Sequence, residues 1–176
     1  MVELQVPGRH QMQNALAATA MAHALSISLA QIAQGLMRFT GVGGRLNIMV
    51  GYNEATVIDD TYNANLASVQ AGLEVLAKRE GEKILVIGDL AELGEFVEAQ
   101  HAQIGEIARK LGIHKLFAVG QSTPSSVAAF GEGGYHFTSQ EELVAHLRKC
   151  LHKQVNILVK GSRSSRMEEV VKQISG

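Results

Sequence analysis

Short apolar segments alternate with amphipathic segments from residue 45 onward, and this alternation is the strongest constraint on the fold. Helical spacing predicts helices at 68–79, 99–111, 124–130, 140–151 and 167–174, and apolar runs predict strands at 45–50, 56–59, 83–87, 116–119, 135–137 and 155–159. Strands that alternate with helices are typical of a parallel sheet covered on both faces. Because crossover connections are right-handed, we predict a Rossmann-like α/β fold with an open, mostly parallel sheet.

The first 44 residues follow another pattern, which contains no predicted strand. An alanine-rich stretch at 12–39 has apolar residues at helical spacing, and Ser26-Ile27-Ser28 predicts a break between two helices. Glycines at 41, 43 and 44 end this stretch. We therefore expect residues 1–44 to be a helical remnant of a preceding domain and residues 45–176 to be the α/β domain.

Composition argues against several classes of protein. The chain has 16 Lys and Arg residues and 17 Asp and Glu residues, so its net charge of −1 gives no signature of nucleic-acid or membrane binding. No segment approaches the roughly 18 apolar residues that span a bilayer, and the first residues lack a signal-peptide pattern. Cys150 is the only cysteine, which fits a reducing compartment. We expect a cytoplasmic protein.

Three loops that follow predicted strands carry dense polar chemistry, and ligands of open α/β sheets bind at such loops. The first, Asp-Asp-Thr-Tyr-Asn-Ala-Asn at 59–65, offers carboxylates and amides that suit sugar hydroxyls or a metal. A helix cap and turn is the simpler alternative, although one such residue suffices for a cap.

The other two loops also leave alternatives open. In Gly-Asp-Leu-Ala-Glu-Leu-Gly at 88–94, Asp89 and Glu92 are either ligand contacts or helix caps. In Lys-Gly-Ser-Arg-Ser-Ser-Arg at 160–166, three cations and three serines favour an anion site over a solvated basic turn.

Several common motifs are absent from the sequence. It contains neither Gly-x-x-x-x-Gly-Lys-Ser/Thr nor a Gly-x-Gly-x-x-Gly after a strand, the two usual phosphate-binding patterns. The seven histidines lack metal-ligand spacing, and no Gly-x-Ser-x-Gly suggests a nucleophilic serine. The residues by themselves predict polar and anion-binding loops along one sheet edge, without specifying a reaction.

Five short strings occur in order along the chain. They are Val-Pro-Gly-Arg-His at 6–10 with Asn-Ala-Leu-Ala-Ala at 14–18, Gly44-Arg45, the loop at 59–65, the loop at 88–94 with His101, and Val-Lys-Gly-Ser-Arg-Ser at 159–164 with Met167-Glu168. In this order the strings resemble the Mur ligases, and the resemblance covers essentially the whole chain. The strings Asp-Thr-Tyr-Asn-Ala-Asn at 60–65 and Lys-Gly-Ser-Arg-Ser at 160–164 are most similar to the members that join D-Ala-D-Ala to UDP-MurNAc-tripeptide in peptidoglycan precursor synthesis.

The resemblance implies a longer enzyme with three domains: one for the UDP-sugar precursor, a central ATPase domain and a carboxy-terminal Rossmann-like domain. It implies that residues 1–44 end the central ATP-binding domain and that 45–176 form the third domain. ATP and Mg²⁺ are implied for the full-length enzyme, in which a precursor carboxylate becomes an acyl phosphate that the amine of D-Ala-D-Ala attacks. Because the family's phosphate loop, Mg²⁺ ligands and carbamylated lysine are missing here, we expect this chain alone to be inactive and to hold no ligand tightly. Self-association through residues 12–39 is a further expectation.

Individual roles follow from the same resemblance. Arg45 is expected to reach the ATP phosphates as the catalytic cation, Asn14 to lie near the adenine and Asp60 to accept hydrogen bonds from the ribose. Four residues are expected to help to place D-Ala-D-Ala: Asn63, Asn65, Lys160 and Ser162. Gln11 departs from the family's usual asparagine.

Some assignments stay open. The resemblance implies no specific step for Asp89, Glu92 or His101 and no metal ligand in this chain. A stand-alone small-molecule binding module and another amide ligase, similar to folylpolyglutamate synthetase, are the alternative functions.

Overall fold

The computed structural model describes residues 2–91 and 93–175, and the chain divides into two compact units, residues 1–42 and 43–176. The predicted boundary lies two residues further along the chain. The assignment of the first unit to the end of an ATP-binding domain stays a prediction.

The first unit is a pair of helices, α1 (Arg9–Ala24) and α2 (Leu29–Arg38). The predicted break occurs between them, where Ser28 and Gln31 form a capping box at the start of α2. Large apolar side chains in and beside these helices are 43–77% exposed: Met12, Leu16, Met21, Leu25, Leu29, Met37 and Phe39. So many exposed large apolar side chains in a short segment are typical of a region that packs against another polypeptide.

The second unit is built on a six-stranded sheet. Its strands are β1 (Asn47–Val50), β2 (Thr56–Asp60), β3 (Glu82–Gly88), β4 (Lys115–Val119), β5 (Gly134–Phe137) and β6 (Val155–Lys160), in the order β1-β2-β6-β3-β4-β5. The β1–β2 hairpin is antiparallel, and the other neighbouring pairs are parallel. The predicted mostly parallel sheet is confirmed.

Five helices of this unit cover both faces of the sheet: α3 (Leu66–Ala77), α4 (Val97–Lys110), α5 (Pro124–Phe130), α6 (Gln140–Cys150) and α7 (Glu168–Ile174). One apolar core joins the sheet to α6 and α7, and the other joins it to α3, α4 and α5. Successive strand residues serve opposite cores, as Val57 and Ile58 do. All six residues of β6 are buried, so this strand is covered on both sides.

The fully buried imidazole of His101 on α4 connects two neighbouring segments to that helix. Its Nε2 accepts from the Leu90 N–H at 3.2 Å, and its Nδ1 lies 3.1 Å from Ser126 Oγ. Because the Ser126 hydroxyl donates to the His101 carbonyl at 2.7 Å, Nδ1 carries the proton and the ring is neutral. Burial lowers the pKa of His101, and the Asp89 carboxylate raises it by a smaller amount.

We predict that the protein loses stability as the pH falls below the usual pKa of histidine. In this range His101 is protonated in the unfolded chain, whereas burial keeps it neutral in the folded protein. This contribution reaches at most about 1.4 kcal/mol per pH unit. Urea unfolding between about pH 7.5 and about pH 5.5 measures it, and His101→Gln should show a shallower decline. The exposed His23 provides the control His23→Gln, which should keep the wild-type slope. Equal slopes for wild type and His101→Gln would contradict the prediction.

Candidate functional site

Three strands of the sheet end level with one another. In the parallel register, Lys160 at the end of β6 is the partner of Asp60 at the end of β2. On its other side Lys160 is the partner of Ile87, and the next residue, Gly88, ends β3. The loops after β2, β6 and β3 therefore emerge side by side at the carboxyl edge of the sheet. This confirms the prediction that the three polar loops share one edge.

A buried ion pair closes the ends of β2 and β6. Lys160 Nζ lies 2.6 Å from Asp60 Oδ2 and also donates to the Asp60 carbonyl at 3.4 Å and to the Asn63 carbonyl at 3.1 Å. The three protons of the ammonium group thus have three acceptors, and Lys160 is only 1% exposed. Lys160 was expected to contact the dipeptide, but its ammonium group faces the protein interior in this structure.

Asp60 also holds the segment that carries Arg45. Its Oδ1 accepts from the Leu46 N–H at 3.2 Å, and the Tyr62 N–H donates to the Gly44 carbonyl at 2.9 Å. Gly44 has a φ of +70°, and a Cβ there would lie 2.9 Å from Tyr62 N, so this position requires glycine. The backbone on both sides of Arg45 is therefore tied to the loop after β2.

Arg45 is an exposed cation that rests on an aromatic ring. Its guanidinium carbon lies 4.4 Å from the centroid of the Tyr62 ring, within the range of a cation–π interaction. Sequence reasoning singled out Arg45 but missed Tyr62 as its partner. A tyrosine within an otherwise polar loop was the available signal, but nothing in the pattern linked it to residue 45.

Asp89 joins three loops rather than capping a helix. Its carboxylate accepts from the N–H groups of Gln121 and Ser122 at 2.8 and 2.9 Å. Its carbonyl accepts from the Ser162 N–H at 2.9 Å and from Ser165 Oγ at 2.6 Å. The carboxylate is thus occupied by the protein itself. Glu92, the other acid of this loop, lies outside the described residues.

The loop after β6 packs closely on the loop after β3. A Cβ on Gly161 would lie 2.6 Å from Met167 Cγ and 3.3 Å from Gly88 Cα, so the approach depends on glycine. Ser162, which is 1% exposed, has its Oγ 2.9 Å from the Oγ atoms of both Ser164 and Ser165. This hydroxyl cluster supports the loop from within.

The remaining predicted site residues are exposed amides. Asn65 caps α3 by accepting from the Ser68 N–H at 2.8 Å, so the helix-cap alternative holds for this residue. Asn63 accepts from the Ala64 N–H at 2.9 Å. Asn14 lies in the first unit, on α1, where its Nδ2 donates to Gln11 Oε1 at 3.3 Å.

The arrangement suits recognition of an anion by a fixed cation with neighbouring amides. The loop after β6 carries two further exposed cations, Arg163 and Arg166, which pair with Glu168 at 3.2 Å and Glu169 at 3.9 Å. Among the residues whose side chains the structure describes, which leave out residues 1, 9, 10, 92 and 176, no three His, Cys, Asp or Glu side chains are grouped so that they could hold a metal ion. Within the same residues, no helix is long and apolar enough to cross a membrane.

Comparison with known proteins identifies the class. The family described as Mur ligase, glutamate ligase domain, matches residues 44–163. The chain belongs to the Mur ligase family. It is 41% identical over 175 residues to the UDP-N-acetylmuramoyl-tripeptide–D-alanyl-D-alanine ligase of Escherichia coli K12, a match that covers 98% of this chain and 38% of that enzyme.

Solved structures agree with this assignment. A crystal structure of MurF from Acinetobacter baumannii is 35% identical, with a TM-score of 0.87 over 97% of this chain and 38% of that one. A MurF ligase from Thermotoga maritima, solved in complex with ADP, shares the fold with a TM-score of 0.82 at 24% identity, over 96% of this chain and 38% of that one. The chain thus spans less than two fifths of the length of these relatives.

We predict that Asp89→Ala lowers the free energy of unfolding by about 2 kcal/mol, because two N–H groups lose a charged acceptor. Urea denaturation provides the measurement. The exposed Glu95 supplies a matched control, since Glu95→Ala should stay within about 0.5 kcal/mol of wild type. If both variants are as stable as wild type, Asp89 does not join these loops as described.

Proposed function

We propose that this chain forms the carboxy-terminal part of a cytoplasmic, ATP-dependent ligase that adds D-Ala-D-Ala to UDP-MurNAc-tripeptide during peptidoglycan precursor synthesis. The observation that carries the proposal is the position of Arg45 at the carboxyl edge of the sheet. This exposed cation lies over the Tyr62 ring, and its chain neighbours Gly44 and Leu46 are hydrogen-bonded to Tyr62 and Asp60. The E. coli relative, 41% identical to this chain, bears the name of this reaction.

The proposed chemistry gives Arg45 a defined task. Transfer of the ATP γ-phosphoryl group to the precursor carboxylate yields ADP and an acyl phosphate, and negative charge spreads over the phosphoryl oxygens in the transition state. A cation that is already in place stabilises this charge without reorganisation. The amine of D-Ala-D-Ala then attacks the acyl carbon, and the C–N bond forms as inorganic phosphate leaves.

Other residues have proposed contacts with the nucleotide. Asn14 is assigned to the adenine side and Asp60 to the ribose. Each carboxylate oxygen can accept two hydrogen bonds, so Asp60 retains acceptor capacity beyond its contacts with Leu46 and Lys160.

The exposed amides of Asn63 and Asn65 are the proposed contacts of the dipeptide. Lys160 and Ser162 are buried beneath that surface, each 1% exposed, so their proposed part is to support the edge rather than to touch the dipeptide.

ATP phosphates also need a phosphate loop and Mg²⁺ ligands, and we assign both to the remaining length of the enzyme. The exposed apolar side chains of the first unit would pack against that remaining part of the enzyme, or against a second copy of this chain when it is expressed by itself.

A folylpolyglutamate synthetase-like activity is not favoured, because the relatives of 35–41% identity described above are named as D-Ala-D-Ala ligases or MurF.

In the longer ligase, Arg45→Ala should reduce D-Ala-D-Ala-dependent phosphate release at least about tenfold, the loss expected for one good electrostatic contact. Arg45→Lys should recover part of the rate, because it restores the charge without the planar group. The exposed Arg109 at the far end of α4 supplies the control Arg109→Ala, which should retain the wild-type rate. A wild-type rate in Arg45→Ala would remove the assignment.

This chain alone should release no phosphate from ATP above background, because its sequence contains no Gly-x-x-x-x-Gly-Lys-Ser/Thr loop. Phosphate release is measured with and without D-Ala-D-Ala, and the longer ligase is the positive control. Turnover by this chain that depends on the dipeptide would contradict the proposed division of labour.

A further inference from the structure

We propose that Lys160 is a positioning residue for Arg45, and that it acts through Asp60 and Leu46 rather than by contact with the dipeptide. The functional part of this inference rests on the proposed function, since the placement of Arg45 affects turnover only if Arg45 meets a transferred phosphoryl group. The structural part stands on the contacts alone.

The first link is the hold of Lys160 on the loop after β2. Its ammonium group donates to the Asp60 carboxylate, the Asp60 carbonyl and the Asn63 carbonyl. These acceptors lie on the last residue of β2 and three residues further along the loop, so one buried cation holds both the end of the strand and the start of the loop. A desolvated ammonium must keep its acceptors, because their loss leaves an unpaired charge in the interior.

The second link runs from Asp60 to the backbone beside Arg45. The carboxylate uses Oδ2 for Lys160 and Oδ1 for the Leu46 N–H, so the ion pair orients the group that holds Leu46. Leu46 has a φ of +54°, a left-handed conformation that is unfavourable for a leucine. Such a conformation persists only where surrounding contacts impose it, and the Asp60 carboxylate is one such contact.

The third link is the ring beneath the guanidinium group. Tyr62 lies between Asp60 and Asn63, the two residues that Lys160 binds, and its own N–H donates to the Gly44 carbonyl. Lys160 therefore fixes both the backbone that carries Arg45 and the loop that carries the aromatic ring 4.4 Å from it.

The same contacts argue against direct recognition of a ligand by Lys160. An incoming carboxylate would have to displace the Asp60 carboxylate at 2.6 Å and reach a side chain that is 1% exposed. Displacement of the Asp60 carboxylate from Lys160 would leave its charge buried without a partner.

A first experiment tests the contacts in this chain with Lys160→Met, which keeps an unbranched side chain of similar volume and removes its donors. Hydrogen exchange measured by NMR should become at least about tenfold faster at the Leu46 and Tyr62 amides, while the Val86 amide in β3 changes little. Lys115 forms a 2.7 Å ion pair with Glu82 at the opposite end of the strands, so Lys115→Met is the matched control and should leave Leu46 unchanged. Unchanged exchange at Leu46 in folded Lys160→Met would overturn the proposal.

A variant that removes both charges covers the case in which Lys160→Met does not fold. Asp60→Asn combined with Lys160→Met leaves no unpaired charge in the interior and preserves the packed volume. It should show the same faster exchange at Tyr62, because the contacts of Lys160 with the loop are lost. Wild-type exchange at Tyr62 in the double variant would count against the proposal.

A second experiment separates positioning from dipeptide binding in the longer ligase. A positioning role predicts that Lys160→Met lowers kcat at least about tenfold and leaves the KM for D-Ala-D-Ala within about threefold. A higher KM with unchanged kcat would identify Lys160 as a dipeptide contact and overturn the inference. If the ligase assignment itself fails, Arg45→Ala will not affect turnover, whereas the exchange result at Leu46 will remain.

Discussion

The ion pair between Asp60 and Lys160 is the interaction on which the site depends. Two charges withdrawn from water add little net stability, but removal of either one is costly because the other stays buried. The pair therefore acts mainly as a geometric restraint: it aligns the ends of β2 and β6, and through Leu46 it holds the segment that presents Arg45. A pair of hydrophobic side chains of equal volume would fill the space, but it would offer no hydrogen bonds to hold the end of β2 or the backbone of Leu46 in place.

The restraint matters for the role proposed for Arg45. A cation that stabilises a transferred phosphoryl group must be held in place before the reaction, since reorganisation during the step would lower its effect. The backbone on both sides of Arg45 would meet this requirement, because Gly44 and Leu46, both left-handed, are hydrogen-bonded to the loop after β2. The sheet supplies a rigid base for these loops.

Much of the architecture could be predicted from the sequence, because strand and helix periods depend on local patterns of apolar residues. The adjacency of the loops after Asp60, Gly88 and Lys160 followed from parallel strands. The inward direction of Lys160 did not, because it depends on which strand lies beside β6 and in what register. With that register known, a lysine that ends a fully buried strand opposite an aspartate would have indicated an ion pair. The contact of Arg45 with Tyr62 depends on a loop conformation that no local pattern encodes.

The placement of Asp89 restricts where this fold can accept phosphate. Paired backbone N–H groups after a strand commonly form an oxyanion-binding concavity, and Gln121 and Ser122 form such a pair after β4. Here an internal carboxylate already fills it, and the Gly120 Cα lies so close that an added Cβ would be 2.5 Å from the Asp89 carboxylate. A phosphate at this position would have to displace the Asp89 carboxylate, so this pair of N–H groups serves to join two loops of the protein rather than to receive an anion from solvent.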